Sequence, residues 1–166
     1  MVQIYLGIGS NFEREHNIRA ALQALWLRLG ALAVSPVFET DPHGRTAPRY
    51  WNLVVGAQTD LSVSALKRLL CQIEADGGRV RESGDSDLCA LDIDLLLYDD
   101  QSGDIEGVTL PHRDLEQQRA YVLYPLSLLA PYGVHPVLQC SYAELWQARK
   151  RDGLTPVDFH WQPDAG

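Results

Sequence analysis

Two acidic side chains lie two residues apart in the otherwise apolar segment Leu91–Leu97. On a β-strand, residues i and i+2 point to the same face, so Asp92 and Asp94 would project side by side. Burying two carboxylates costs a large free energy unless a cation neutralises them, and Mg²⁺ commonly binds between carboxylates and substrate phosphates. The alternative is a solvent-exposed strand face that needs no ligand. The spacing alone leaves both interpretations open, because Asp-x-Asp is a common string.

Basic side chains occur on both sides of this segment. Arg79 and Arg81 precede it, again two residues apart, and paired guanidinium groups are well suited to bind phosphate oxygens opposite a metal ion. His112 and Arg119 follow it, and an imidazole can donate a hydrogen bond to a phosphate. The alternatives are a solvated turn for the two arginines and a structural role for the histidine.

An aromatic ring and an amide show the same two-residue spacing in the segment Tyr50–Thr59. On a strand, Tyr50 and Asn52 would face the same way, where the ring can stack on a flat heterocycle and the amide can hydrogen-bond its edge. The alternative is an ordinary half-buried strand.

Hydrophobic periodicity predicts the elements that would position these residues, in the order β-α-β-β-α-β. They are a strand at 2–8, a helix at 15–29, strands at 32–38 and 50–59, a helix that begins after Ser62 and ends near 76, and a strand at 91–98. This order is that of the ferredoxin-like split motif, in which an antiparallel four-stranded sheet carries both helices on one face. The predicted fold class is therefore α+β with a C-terminal extension.

The extension begins after the predicted strand at 91–98. It contains a short apolar segment, Ala120–Leu129, and a predicted helix around Tyr142–Lys150. The tail at 152–166 has no pattern that predicts an element. Because no repeat or interior linker interrupts the chain, we predict a single domain over 1–166, with a core at about 1–146.

Composition narrows the class of protein. The chain has 166 residues, a net charge of −8 and a pI near 5.0, which disfavours a nucleic-acid partner. No apolar run reaches the roughly 18 residues of a membrane span, and the N-terminus lacks the pattern of a signal peptide. Three widely spaced cysteines suggest neither a disulfide framework nor a zinc site. We therefore expect a soluble cytoplasmic protein.

Several of these motifs occur together in one order. Gly9-Ser10-Asn11 comes first, then Tyr50-x-Asn52 and Gly78-Arg79-Val80-Arg81, and then Leu91–Leu96 and Pro111-His112. From Val2 to about Trp146 the chain resembles the 6-hydroxymethyl-7,8-dihydropterin pyrophosphokinase family of folate biosynthesis. The resemblance implies a ferredoxin-like core, ATP as co-substrate and Mg²⁺. It also implies transfer of the β,γ-pyrophosphoryl group to the hydroxymethyl oxygen of the pterin with release of AMP, by a protein that we expect to be a monomer.

The resemblance also assigns roles to individual residues. Two Mg²⁺ ions would be held by Asp92 and Asp94. Binding of ATP would involve Glu74, Arg79, Arg81, Thr109, His112 and Arg119, and the three arginines and His112 would be catalytic. The pterin pocket would be formed by Thr40, Pro42, His43, Tyr50, Asn52 and Tyr121. Tyr121 replaces the usual Phe, so the pterin ring would lie between Tyr50 and Tyr121.

Part of the sequence departs from the family pattern. Cys89 stands where the family has an arginine three residues before the first aspartate, and Gly107 stands where a basic residue is common. The loop 82–87 carries Glu82, Asp85 and Asp87 where the family has a basic, aromatic segment. Carboxylates near a triphosphate weaken its binding by like-charge repulsion. The sequence therefore leaves open a slow enzyme, a protein that binds pterin without transfer, and an enzyme for another pterin or donor. A bare interaction domain would leave Asp92 and Asp94 unexplained.

Overall fold

The computed structural model describes residues 1–40, 48–77, 88–149 and 153–164. The strands are β1 (Val2–Ser10), β2 (Ala33–Val34), β3 (Val37–Thr40), β4 (Tyr50–Thr59), β5 (Asp92–Tyr98), β6 (Gly103–Ile105), β7 (Val108–Leu110) and β8 (Leu154–Val157). The helices are α1 (Arg14–Leu29), α2 (Val63–Asp76), α3 (Arg113–Glu116), α4 (Ala120–Leu129) and α5 (Tyr142–Gln147). None of the helices in this described part of the chain has the length and apolar character that a bilayer span requires.

One antiparallel sheet organises the molecule. Its strand order is β5-β1-β4-β3-β8, with β2 also paired to β4. The chain order β1-α1-β2/β3-β4-α2-β5 is the predicted β-α-β-β-α-β order, and the first four positions of the sheet are those of a ferredoxin-like core. The predicted α+β class is confirmed.

The two faces of the sheet carry two hydrophobic cores. Alternate residues of β1, β4 and β5, such as Ile8, Leu53 and Ile93, pack against the apolar faces of α1 and α2. On the opposite face, Val54 and Leu96 pack against α4 and α5. Because the helices of the second core cover only part of that face, polar side chains of β4 and β5 remain accessible beside it.

The predicted second strand is interrupted. The segment forms β2 and β3, separated by Ser35-Pro36. Ser35 continues the contact with β4, because its backbone N–H donates to Val54 O and its hydroxyl accepts from Val54 N, both at 2.9 Å. Pro36 has no N–H to contribute to a sheet, so regular pairing stops there and resumes at Val37.

The helix ends agree with the sequence at two positions and differ at one. Ser62 accepts a hydrogen bond from Ala65 N and caps α2, and Gly30 ends α1 with a φ of 85°. Ser10 and Asn11 are of the residue types that commonly cap helices, but they do not cap α1, because its first turn follows Glu13. The Ser10 and Asn11 side chains bond elsewhere, Asn11 to the segment before β5.

The extension covers the second face and one edge of the sheet. The apolar segment 120–129 is the helix α4, and α5 ends at Gln147, three residues before the predicted end. The tail, for which the sequence predicts no element, adds β8 to the edge strand β3, with Val37 opposite Val157 and Thr40 opposite Leu154.

Candidate active site

Both predicted polar pairs lie on the same face of the sheet. Gly9 of β1 is paired with Asp92 on one side and with Asn52 on the other. Residues that pair directly across antiparallel strands share a face, so Asp92 and Asn52 flank a glycine. Asp94 is likewise paired with Gly7. The strand between the aspartates and the amide therefore presents two positions without side chains.

Gly9 determines where the amide of Asn52 lies. A Cβ at position 9 would come within 2.8 Å of Asn52 Oδ1, so the amide rests directly over the glycine backbone. Asn52 Nδ2 donates to Thr40 Oγ1 at 2.7 Å, and Thr40 is buried at the end of β3. Tyr50 pairs with Thr40 and belongs to the same face. Thr40, Tyr50 and Asn52 thus form one polar and aromatic group on this face of the sheet.

The two aspartates are unfavourably close to each other as anions. Asp92 is exposed at the start of β5, but partial desolvation and the neighbouring Asp94 carboxylate, with which it shares a hydrogen bond, raise its pKa to about 6. Burial also raises the pKa of Asp94, with Asp114 adding to it. Oxygen ligands that repel each other at neutral pH are a suitable donor set for a hard divalent cation. The residues therefore fit the Mg²⁺ ions that the resemblance implies.

Glu74 reaches the site from α2 around the outer edge of β5. Its side chain is 5% exposed, and Oε2 accepts the outward N–H of Ile93 at 2.9 Å. It also hydrogen-bonds Asp92 and thereby lowers the pKa of that carboxyl. Glu74 thus completes the hydrogen bonding of an edge strand and orients the first aspartate.

His112 lies beside the second aspartate with one defined tautomer. Its Nδ1 accepts from the backbone N–H of Asp114 at 3.0 Å, and its Nε2 is 3.6 Å from Asp94 Oδ1. Burial lowers the pKa of His112, so the ring is neutral at pH 7. A neutral ring whose Nδ1 accepts must carry its hydrogen on Nε2, which makes Nε2 a donor that faces the carboxylates.

This tautomer bears on metal binding. Asp94, His112 and Asp114 offer ligand atoms within 4.8 Å of one another. A histidine that ligates a metal through Nε2 normally donates its Nδ1–H to an outer partner, whereas here Nδ1 is an acceptor. We therefore interpret His112 as a hydrogen-bond donor, and leave the metal to the paired aspartates.

Three further predicted site residues, Tyr121, Arg119 and Thr109, are among the residues that the structure describes. Tyr121 is half-buried, and its hydroxyl donates to Asp114 Oδ2 at 2.8 Å. Burial and the bond to Asp114 raise the pKa of Tyr121, and Arg119, exposed at the N-cap of α4, is near enough to oppose that rise. Thr109 is exposed in the β6–β7 hairpin. Pro42, His43, Arg79, Arg81 and the acidic loop 82–87 lie outside the described residues.

Sequence reasoning missed the connection between the Gly-Ser-Asn motif and Cys89. Asn11, which is 4% exposed, donates its N–H to Cys89 O at 2.9 Å and accepts Cys89 N–H on Oδ1 at 2.5 Å. The thiol hydrogen-bonds Tyr50, and burial together with Asp92 raises the pKa of Cys89. The residue in place of the family arginine therefore lies inside the site and links its aromatic and acidic parts.

A second missed residue is Lys67. It is half-buried on α2, seven residues before Glu74 and so on the same helical face. Its charge lowers the pKa of both Asp94 and His112, which places an ammonium group near the acidic centre. The spacing from Glu74 is the signal that would have found it.

Comparison with known proteins agrees with this geometry. A family model described as 7,8-dihydro-6-hydroxymethylpterin-pyrophosphokinase matches residues 5–131. A 2-amino-4-hydroxy-6-hydroxymethyldihydropteridine pyrophosphokinase of Pseudomonas aeruginosa is 40% identical over 79% of this chain and 83% of its own length. The folic acid synthesis protein fol1 of Schizosaccharomyces pombe is 37% identical over 80% of this chain, which spans 18% of that longer protein.

The fold is also similar to solved structures. The crystal structure of Plasmodium falciparum HPPK-DHPS with pteroate superposes with a TM-score of 0.71 at 14% identity, and the match covers 89% of this chain and 42% of that one. With its fold, its family model and these relatives in agreement, the chain belongs to the 7,8-dihydro-6-hydroxymethylpterin-pyrophosphokinase family, whose members transfer a pyrophosphoryl group from ATP to a hydroxymethyldihydropterin in folate synthesis.

Proposed function

We propose that this chain carries out that transfer with Mg²⁺, and that the pterin and the triphosphate bind side by side on the open part of the sheet face. The observation that carries the proposal is the row Asp92–Gly9–Asn52, which brings the acidic pair and the amide to opposite sides of β1, where Gly7 and Gly9 leave that face of the strand without side chains. The glycines leave room for a substrate to lie against the backbone between them.

The pterin end of the face is Thr40, Tyr50 and Asn52. Because Thr40 Oγ1 accepts from Asn52 Nδ2, the amide is held with a fixed orientation, and the threonine hydroxyl keeps its own hydrogen to donate. A pterin edge carries both donors and acceptors, which such a pair can match. Tyr50 on one side and Tyr121 on the other would contact the two faces of the ring.

The phosphate end of the face is acidic and therefore depends on cations. Asp92 and Asp94 would hold the Mg²⁺ ions, which neutralise charge on the triphosphate when bound. Glu74 orients Asp92 and is too deeply buried to serve as an outer ligand. His112 would donate Nε2–H to a phosphate oxygen, and Arg79, Arg81 and Arg119 would add positive charge.

The chemistry requires positioning more than a protein nucleophile. The hydroxymethyl oxygen attacks the β-phosphorus of ATP, and the bond from that phosphorus to the α,β-bridging oxygen breaks. AMP leaves with that oxygen, and the proton of the hydroxymethyl group is released to water. In such transfers catalysis comes from alignment and from stabilisation of the charge on the phosphoryl oxygens. A neutral His112 that donates through Nε2 suits that second task over a broad pH range.

A second function is favoured by one observation. Cys89, in place of an arginine, lies beside Asp92 and Glu74, so the described site has a thiol where a phosphate-binding cation is expected. One arginine–phosphate contact stabilises by about 1.5–3 kcal/mol, and each 1.4 kcal/mol is worth a factor of about ten in rate. A protein that binds pterin without transferring the pyrophosphoryl group is therefore the alternative.

The test is release of AMP. The purified protein is incubated with 6-hydroxymethyl-7,8-dihydropterin, ATP and Mg²⁺, and AMP is quantified by chromatography with and without the pterin. Pterin-dependent AMP that disappears in Asp92→Ala supports the transferase. A folded protein that binds the pterin in calorimetry but forms no AMP above the enzyme-free control supports the binding protein.

As part of the same proposal, the chain acts as a monomeric single domain in the cytoplasm.

A further inference from the structure

Asp114 is a residue that neither the motifs nor the resemblance singles out, yet it lies between the two ends of the site. It occupies the first turn of α3, and its side chain is 16% exposed. Four of its polar atoms are used. Its N–H donates to His112 Nδ1 at 3.0 Å and its C=O accepts from Arg119 N at 2.9 Å. Its Oδ2 accepts from Tyr121, and its Oδ1 is 3.8 Å from Arg113 Nε.

The backbone bonds of Asp114 fix the phosphate end. The N–H bond to Nδ1 decides which nitrogen of His112 carries the hydrogen, and so makes Nε2 the donor toward the acidic pair. The bond from Arg119 N closes the turn between α3 and α4. The start of α4, where Tyr121 is the second residue, is thereby tied to the same residue that sets the histidine.

The side chain of Asp114 fixes the aromatic end. Tyr121 donates its phenol hydrogen to Oδ2 at 2.8 Å, a charge-assisted bond that is stronger than one between neutral groups. An aromatic ring that is bonded through its para oxygen cannot turn about χ1 without breaking that bond. The carboxylate therefore fixes the position and the long axis of the Tyr121 ring.

We propose that Asp114 is a positioning residue that holds the Tyr121 ring and the His112 imidazole in one fixed relation. This inference rests on the proposed function, because it assigns Tyr121 to the pterin and His112 to the triphosphate. The substrates must meet with the hydroxymethyl oxygen in line with the β-phosphorus, and small misplacements are costly in such reactions. A single residue bonded to both groups supplies that alignment.

The test variants remove or weaken the hydrogen bond between Tyr121 and Asp114 and keep the aromatic ring and the imidazole. Tyr121→Phe retains the ring and loses the bond to Asp114, and Asp114→Asn retains the backbone bonds and weakens the side-chain bond. In steady-state assays of AMP release we expect each variant to raise KM for the pterin, by about tenfold for Tyr121→Phe, the size expected for one hydrogen bond. KM for ATP should stay within about twofold. The double variant should be no worse than Tyr121→Phe, because both changes act on the same bond, which Tyr121→Phe already removes.

The matched control is Tyr98→Phe. The Tyr98 hydroxyl donates to Leu61 O at 2.7 Å, on a different part of the molecule, so this variant loses an equivalent bond without touching the site. It should leave both KM values unchanged even where it lowers Tm. A purely structural role for the Tyr121 bond would lower Tm in the same way and leave KM for the pterin unchanged.

Three results would overturn the proposal. If the wild type forms AMP and Tyr121→Phe has the wild-type KM for the pterin, Asp114 does not position that ring, and the transferase assignment stands. If Asp114→Asn abolishes Mg²⁺-dependent ATP binding in calorimetry, Asp114 is a metal ligand instead. If the wild type forms no AMP, the proposed function fails first, and the positioning role fails with it.

Discussion

Asp92 is the residue that shows most clearly how the site lowers the free energy of unfolding. Its pKa is about 6 in the folded protein against 3.8 for an unperturbed carboxyl, because partial desolvation and Asp94 disfavour its charge. Between about pH 4 and pH 6 the folded state therefore binds more protons than the unfolded state. The free energy of unfolding falls as the pH rises through this window and stays lower above it.

Asp92→Asn should thus stabilise the metal-free protein at neutral pH. We expect a gain of about 1 kcal/mol after allowance for solvent screening, or a rise in Tm of about 2–4 °C at pH 7.5. Thermal unfolding in EDTA across pH 4–7.5 measures it, and the gain should vanish near pH 4. Asp100→Asn, at an exposed position, is the control. A variant that is no more stable than the wild type at pH 7.5 would show that the ionised Asp92 carboxylate does not destabilise the fold.

The position of α2 brings the ammonium group of Lys67 near the site. The ammonium lies near Asp94 and His112, in a site where Cys89 has replaced a cation. We expect Lys67→Met to raise KM for ATP about tenfold and to leave KM for the pterin nearly unchanged, because only the triphosphate is strongly charged. Arg68→Met, the exposed neighbouring residue, is the control. Equal KM values for ATP in the two variants would contradict a role for Lys67.

At the scale of elements, residue spacing predicts which residues lie on the same face of a strand. It does not predict which strands pair with each other, or in which register. Period-two alternation predicted that Asp92 lies beside Asp94 and Tyr50 beside Asn52. Only the register Asp92–Gly9–Asn52 brings the two pairs together, and register depends on all the pairings of β1 at once. The same limit applies to Asn11, whose residue type is typical of a helix cap but whose side chain binds the backbone of Cys89 in the structure.

Gly9→Ala tests this register directly. The new Cβ would lie 2.8 Å from Asn52 Oδ1 and would displace the amide from Thr40. We expect KM for the pterin to rise about tenfold and the free energy of unfolding to fall by about 1–2 kcal/mol. Fluorescence-monitored denaturation and AMP assays measure the two effects.

The partner variant for Gly9→Ala is Asn52→Ala, which removes the clashing amide. In the Asn52→Ala background, Gly9→Ala should cost almost no stability, so the double-mutant cycle gives a large coupling energy. Additive losses in the cycle would mean that the alanine is rejected for a reason other than contact with Asn52.

At the scale of the whole molecule, the C-terminal tail, which the sequence predicts least well, adds the last strand at one edge of the sheet. The alternating apolar residues of the tail, Val157, Phe159 and Trp161, extend past the end of β8, and Pro156 interrupts the start of the pattern, so the sequence does not indicate the strand at 154–157. In the structure this segment pairs with β3, which would otherwise be an open edge of the sheet. Beyond β8, Arg19 contacts the tail twice. Its guanidinium lies 4.6 Å over the ring of Phe159 and donates to His160 O at 2.8 Å. These contacts join distant parts of the chain, which no local pattern can reveal.

A chain that ends at Asp152 should therefore lose both stability and pterin affinity. Partial burial of Phe159 and Trp161 and the β8 pairing stabilise the fold by on the order of 2 kcal/mol after the entropy of ordering the tail, so Tm should fall by about 4–8 °C. Since Leu154 pairs with Thr40, the threonine that holds Asn52 loses its outer neighbour, and KM for the pterin should rise more than KM for ATP.

The control for the truncation is Phe159→Ala in the full chain. It removes the contact with Arg19 and the edge contact with Trp51 but keeps the β8 pairing. Its Tm should fall by less than that of the truncated chain, and its KM for the pterin should stay close to the wild-type value. If truncation lowers Tm and leaves KM for the pterin unchanged, the tail stabilises the sheet without shaping the site. If neither changes, the tail is not bound to the sheet edge in solution.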